Sequence, residues 1–186
     1  LIALKDLPLS VPNEVVIYLL SEILRKDFTV VLSGEGADEF FGGYGRILRS
    51  PLDFKKQKLA KQFPLLKWIV KPTADEYEAE YFETILDFFL KRYNYFPLKE
   101  KLIIFSDKMK QQIGNDNHIR EIYKNEFEKV NDQDSYDQFL FIFQKLHLPG
   151  LLGRLDTATM AASVEGRVPF INVKIAQFLA NVPFSY

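Results

Sequence analysis

Apolar residues crowd positions 15–24 on nearly every side: Val15, Val16, Ile17, Leu19, Leu20, Ile23 and Leu24. The run predicts a helix from Asn13, as its N-cap, to about Lys26, with Arg25 and Lys26 suiting the negative end of the helix dipole. A helix this apolar belongs in a core. Its expected partner is the strand 29–32, Thr29-Val30-Val31-Leu32, short and wholly apolar like an interior parallel strand. Residues 1–12 read as a short apolar piece and a Pro-containing loop. After the strand, a short helix is closed by Gly42 and Gly43. The strongest helical pattern runs over Tyr77–Tyr93, with Tyr81, Ile85, Phe88 and Phe89 at three- and four-residue spacing, and its aromatic stripe reads as core. Pro51, Pro64, Pro72 and Pro97 are expected at helix starts or boundaries. Ser106 is placed to cap a helix over 107–113, and 117–130 is another candidate. Residues 135–148 predict a buried helix ended by Pro149-Gly150. A helix over Leu151–Ala162, a loop over Val164–Asn172 and a last helix from near Val173 complete the pattern. With one convincing strand, 29–32, the chain is expected to be mainly α.

Composition narrows the class without naming it. The 186 residues are 47% hydrophobic with 17 Phe and 9 Tyr, which excludes a disordered chain. The 24 basic and 25 acidic residues leave a net charge of −1, so there is no electrostatic case for nucleic acid or an anionic membrane. The absence of Cys removes disulfides, thiolate metal sites and a cysteine nucleophile from these residues and fits a reducing compartment. No apolar stretch approaches the roughly 20 residues that span a bilayer. The start, Leu-Ile-Ala-Leu without Met, suggests a piece of a longer protein.

The chemistry concentrates in Ser33-Gly34-Glu35-Gly36-Ala37-Asp38-Glu39-Phe40-Phe41-Gly42-Gly43-Tyr44, directly after the predicted strand. Glycines let backbone N–H groups approach a ligand, and a helix start favours anions. Three carboxylates in the same loop, Glu35, Asp38 and Glu39, would repel a bare phosphate. A divalent cation bridging carboxylates and phosphate oxygens resolves that conflict, so the loop points to Mg²⁺–phosphate chemistry. The bland alternative is helix capping, worth ~0.5–2 kcal/mol.

A second run, Arg154-Leu155-Asp156-Thr157-Ala158-Thr159-Met160-Ala161-Ala162-Ser163-Val164-Glu165-Gly166-Arg167-Val168-Pro169-Phe170-Ile171-Asn172, stands at the other end of the chain. Together the two runs closely resemble, in order, two motifs of the synthetase domain of the glutamine-dependent asparagine synthetases. The resemblance implies part of an α/β, parallel-sheet ATP pyrophosphatase domain of the adenine nucleotide α-hydrolase-like kind, with ATP and Mg²⁺. It implies that a small carboxylate, aspartate in the namesake enzymes, is adenylated to β-aspartyl-AMP with release of pyrophosphate, and that ammonia then displaces AMP. The family's N-terminal glutaminase domain and its Ser-Gly-Gly-x-Asp-Ser pyrophosphate loop do not occur among these residues. Residues 1–186 are therefore expected to be the C-terminal portion of a synthetase domain, inactive alone. The location implied is cytoplasmic, with the glutaminase domain of the same chain as partner and a homodimer as an open option. Other acceptors, such as a sugar or surface-polysaccharide precursor, and a non-catalytic synthetase-like scaffold remain alternatives.

The resemblance also assigns roles. Glu35 and Asp38 become catalytic acids that hold Mg²⁺ through pyrophosphate. Ser33, Gly34 and Glu39 become nucleotide or substrate contacts. Arg154 and Asp156 read equally as site contacts or as structural ion-pair members, and helical spacing points Arg154 away from the face shared by Asp156, Thr159 and Met160. Thr159 and Met160 read as packing. Glu165 leans to function and Arg167 to loop structure. The string Phe170-Ile171-Asn172-Val173-Lys174 departs from the family: Asn172 replaces Asp, and Val173 stands where a basic residue is usual. Lys174, one position later, is the candidate for stabilising charge in adenylation. His118 and His147 lack partner spacing and read as surface and core residues.

Overall fold

The computed structural model describes residues 1–64, 82–94 and 96–182, apart from the side chains of 46–48. Helices α1 (Ile2–Lys5) and α2 (Asn13–Leu24) lead to strand β1 (Val30–Leu32), which α3 (Ala37–Phe41) follows closely. Next come α4 (Gly45–Gln62), α5 (Ile85–Tyr93), α6 (Leu98–Ile104), α7 (Asp107–Ile113), α8 (Asn117–Glu128) and α9 (Ser135–Ile142). A π turn over Phe143–His147 precedes α10 (Leu148–Ala161), β2 (Glu165–Arg167) and α11 (Val173–Leu179). The described residues are mainly helical with one small parallel sheet, as part of an α/β domain should be. They divide into two units: unit 1 is Leu1–Gly43 with Phe143–Tyr186, and unit 2 is Tyr44–Ile142.

In unit 1, β1 pairs in parallel with β2, Val31 opposite Gly166. The ladder extends at both ends, Glu165 N donating to Thr29 O and Ser33 N to Arg167 O, each at 2.8 Å. Residues 165–167 are thus a strand and not the expected loop. Their polar sequence carries no apolar run, so nothing marked them; backbone pairing to β1 makes the strand. Gly166 lets β2 lie close on α10, because a Cβ there would meet Thr159 Oγ1 at 3.1 Å and Leu155 Cγ at 3.3 Å. Helix α10 packs against β2 and, with Leu151, Leu155, Ala158 and Thr159 buried, against α2.

Helix α2 corrects the expectation of a buried, all-apolar helix. Its buried residues are Glu14 and Ser21, and its packing partner is α10. Val16 and Ile23 are each 63% exposed, and Leu32 of β1 is 74% exposed. Within these residues only one flank of α2 has a surface to pack on. Asn13 is the first helical residue and Pro12 the cap, with no side-chain capping bond. Glu14 instead gathers the preceding loop: its carboxylate accepts from Ser10 N at 2.8 Å, from Ser10 Oγ and from Lys5 Nζ. Burial alone would raise the Glu14 pKa, but the hydrogen bonds from Lys5 and Ser10 and the Lys5 charge win, lowering it to about 2. Lys5 comes from α1, a single turn that the opening pattern did not reveal.

Unit 2 is built on aromatic packing. The Phe89 ring centroid lies 4.6 Å from Tyr93, 5.1 Å from Phe139, 5.4 Å from Phe127 and 5.6 Å from Tyr123. A buried Arg92–Asp53 pair at 3.0 Å joins α5 to α4. The predicted caps hold where the side chain has a free N–H to meet: Ser106 accepts from Met109 N at the start of α7. The helix expected from Tyr77 begins at Ile85 with Thr84 as its cap, and Tyr77–Tyr81, like Pro72, lie outside the described residues. Pro97 caps α6 as expected, but Pro51 sits inside α4 and not at a boundary. Pro149-Gly150 ends no helix either. Pro149 lies in the first turn of α10, where a missing N–H leaves no intrahelical bond unmade.

Candidate active site

The acidic loop leaves the C-terminal end of β1, the position at which parallel α/β sheets present their ligand sites. Its shape follows from three glycines. Gly36 has φ +91°, and a Cβ there would lie 2.5 Å from Ile171 Cγ1, so only glycine lets the loop seat against residue 171. Gly42, at φ 70°, closes α3, and its N–H, like that of Gly43, bonds to Asp38 O. A Cβ at Gly43 would overlap Asp38 Oδ1, so the bare glycine makes room for that carboxylate. The hydroxyl of Ser33 accepts from Glu35 N at 3.3 Å, and Gly34 O accepts from Ala37 N at 3.2 Å.

The two motifs meet in one ion pair: Arg154 Nη2 of α10 donates to Glu35 Oε1 at 2.9 Å. Arg154 therefore points at the acidic loop, while Asp156 is exposed on α10 and carries no ion pair among the described residues. Arg154 Nε is buried with no hydrogen-bond partner. Asp38 is exposed, and Glu39 is 1% exposed. Gln144 of the π turn donates from Nε2 to Glu39 O at 3.0 Å. The segment after β2 closes another side, with the Phe170 and Phe41 rings edge to face at 6.0 Å. Asn172 caps α11, accepting from Lys174 N at 2.8 Å. Asn and Asp cap equally well, so the exchange of Asp for Asn at 172 preserves that local structure. Lys174 is exposed in the first turn of α11 and makes no ion pair among the described residues.

Other predicted residues fall elsewhere. Glu165 and Arg167 pair on the exposed face of β2, Nε to Oε1 at 2.9 Å and Nη2 to Oε2 at 3.3 Å. The hydrogen bonds and charge of Arg167 hold the Glu165 carboxyl below its usual range. Thr159 is buried beneath β2, but Met160 is 54% exposed and does not serve as packing. His118 is exposed as expected. His147 is half-buried, its ring edge-on to Phe143 at 5.3 Å. Burial pushes its pKa below the ordinary value, with Glu39 and Glu35 acting to raise it and Arg154 to lower it. Sequence reasoning placed neither Gln144 nor His147 at this site, because neither lies in a motif and neither has a ligand-like spacing.

Among the described residues, no group of three or more acidic, His or Cys side chains converges to hold a metal by itself. Two carboxylates on one loop nevertheless supply the hard oxygen donors that Mg²⁺ takes when phosphate oxygens complete its shell. The unpartnered Arg154 Nε beside them suits an anionic ligand. The donor set thus fits a magnesium–phosphate group. Among the described residues no helix is long and apolar enough to cross a membrane.

The asparagine synthase family model matches residues 1–186. The chain is 30% identical to asparagine synthetase [glutamine-hydrolyzing] 1 of Bacillus subtilis (strain 168), over 96% of this chain and 28% of that protein. It is 23% identical to asparagine synthetase [glutamine-hydrolyzing] 3 of the same organism, over 98% of this chain and 25% of that protein. A putative asparagine synthetase [glutamine-hydrolyzing] of Mycobacterium tuberculosis (strain ATCC 25618 / H37Rv) is 48% identical over 50 residues, 27% of this chain and 8% of that protein. The chain thus spans about a quarter of the length of the Bacillus relatives it matches. No solved structure matches it.

Proposed function

The chain belongs to the asparagine synthase family, and from that premise we propose that it supplies the C-terminal portion of the synthetase domain of an ATP-dependent amide-forming ligase. The reaction has two displacements. The side-chain carboxylate of aspartate attacks the α-phosphorus of ATP, and the bond to the bridging oxygen breaks to release pyrophosphate. Ammonia, drawn from glutamine by a glutaminase domain of the full-length protein, then attacks the β-aspartyl-AMP carbonyl. AMP leaves, and the nitrogen gives up one proton to yield asparagine.

The observation that carries this reading is the Arg154–Glu35 ion pair, which ties the two motifs together at the end of β1. Mg²⁺, when bound, neutralises charge that develops on the departing pyrophosphate. Glu35 and Asp38 would hold it, Glu35 with its carboxylate fixed by Arg154. Ser33 and Gly34 offer hydroxyl and backbone contacts to the nucleotide, and Asp156 and Glu165 are further polar candidates for substrate. Glu39 acts from beneath, buried under the loop. Lys174, exposed and outside any ion pair among the described residues, is the group to meet negative charge at the α-phosphate. Aspartate is taken as the acceptor because it is the substrate of the namesake enzymes that the two motifs resemble, and Asn172 keeps the capping role that Asp would have there.

The test is release of AMP and pyrophosphate by the full-length protein with Mg-ATP and a panel of carboxylates, aspartate first. Aspartate-dependent AMP that disappears in Glu35→Gln and Asp38→Asn supports the reading. AMP formed only with a different carboxylate reassigns the substrate. A folded protein that forms no AMP with any of them is a synthetase-like scaffold.

A further inference from the structure

Gln144 belongs to neither motif, yet its side chain reaches 105 positions back along the chain to the acidic loop. It rises from the π turn Phe143–His147, a backbone form that is rare and recurs at functional sites. The turn is packed: Phe143 is buried, and its ring meets His147 edge-on.

What Gln144 holds is a helix that needs holding. Helix α3 has five residues, too few to be stable by itself. Its last carbonyls have no partner within the helix. Gly42 N and Gly43 N both turn to Asp38 O, and Gln144 Nε2 takes the next carbonyl, Glu39 O, at 3.0 Å. Residue 39 is then fixed by its carbonyl as well as by burial of its side chain. Asp38 is the adjacent residue, exposed, with its carboxylate lying over Gly43. With Asp38 O held by Gly42 N and Gly43 N, the added hold on Glu39 O keeps in place the turn that carries Asp38. At the other end of the loop Arg154 fixes Glu35. Glu35 is thus gripped by α10, and the residue next to Asp38 by the π turn.

We propose that Gln144 is a positioning residue for the acidic loop: its amide holds α3 so that Asp38 keeps its place relative to Glu35. The catalytic consequence rests on the ligase reading above, whereas the hold on α3 does not. A displaced catalytic group of this kind lowers turnover on the order of tenfold to a hundredfold.

Three variants separate positioning from mere stability. Gln144→Leu removes the donor, Gln144→Glu sets an acceptor against the carbonyl, and Gln144→Lys restores a donor on a longer stem. In the Leu and Glu variants the amides of Gly42 and Gly43 should exchange hydrogen faster, with an unfolding midpoint near that of the unmodified protein. AMP formation should show kcat lowered by about tenfold or more with KM for the carboxylate little changed, and the Lys variant should recover most of it. Unchanged exchange at Gly42 and Gly43, a kcat that does not move, or a loss that the Lys variant shares in full overturns the proposal. If the unmodified protein itself forms no AMP, the ligase reading fails on its own. Calorimetric binding of magnesium pyrophosphate then decides: weaker binding by Gln144→Leu upholds the positioning role, and equal binding or none by either protein overturns it.

Discussion

In unit 2, the Phe89 ring centroid lies within 5.6 Å of those of Tyr93, Phe139, Phe127 and Tyr123, and Phe54, Phe88, Phe127 and Phe139 are all buried. In unit 1, the side chains of Val16, Leu19, Leu20 and Ile23 on α2 face solvent, while Glu14 and Glu39 lie inside. Unit 2 gathers its aromatic rings into one buried cluster. Unit 1 has an apolar core of Phe143, Leu148, Leu151, Leu155 and Val164, but it also buries two carboxylates, leaves one flank of α2 open and holds both motifs. The aromatic cluster and the two motifs thus lie on different stretches of this chain.

The strongest way to break that comparison is Phe89→Ala. Removing the centre of the aromatic cluster should destabilise the protein by about 3–5 kcal/mol, read by circular dichroism in urea. A loss below about 1 kcal/mol would mean that the cluster is not the anchor of unit 2. Glu35→Gln comes next. AMP formation should fall on the order of 10²–10³-fold, the scale seen when one group that meets developing charge is lost, with the melting temperature close to that of the unmodified protein. Gly36→Ala tests how closely the acidic loop is fitted against residue 171. A positive φ and the 2.5 Å approach to Ile171 Cγ1 predict about 1–3 kcal/mol of destabilisation, together with lost activity.

Acid should reach unit 1 through Glu14. Its carboxyl, normally near 4.5, is lowered to about 2 in the folded protein, so the unfolded chain binds the proton more readily. The stabilisation is fully present above the unfolded value and is lost as pH falls through the folded one. Urea midpoints of the unmodified protein should therefore drop more steeply between about pH 5 and about pH 2 than those of Glu14→Gln. Asp87 and Asp134 of unit 2 are also held low, by Arg120 with Thr84 and by Tyr136 N with Lys55, so the difference between the two proteins is the quantity to read. The smallest effect is expected of Ile23→Gln on the exposed flank of α2: within about 0.5 kcal/mol. A larger loss would show that this flank is covered in solution.

The sequence was most legible where a local rule decides the structure. Ser106, Gly42 and Pro97 stand where capping chemistry puts them, and β1 follows from its apolar run. It was least legible where a distant partner decides. Glu165-Gly166-Arg167 becomes a strand through β1, and α2 keeps an exposed flank because, among the described residues, α10 packs on its other side. At the site, the motifs named Glu35 and Arg154, but that they touch is a fact of folding. Gln144 carries no local mark, since its partner lies 105 positions earlier.

The parallel pairing of β1 with β2 carries a consequence for how the chain assembles. Unit 2 lies in sequence between the two halves of unit 1, so Glu35 and Arg154 are 119 positions apart. A ribosome releases the acidic loop well before it releases the arginine that will neutralise it. In the interval three carboxylates and an unpaired strand edge wait, while unit 2, whose contacts are closer in sequence, can already form. Closing so long a loop is slow but adds little entropy per extra residue. The intervening unit can therefore lengthen or shorten between relatives with small effect on the pairing, provided that its two ends still deliver β1 and β2 to each other.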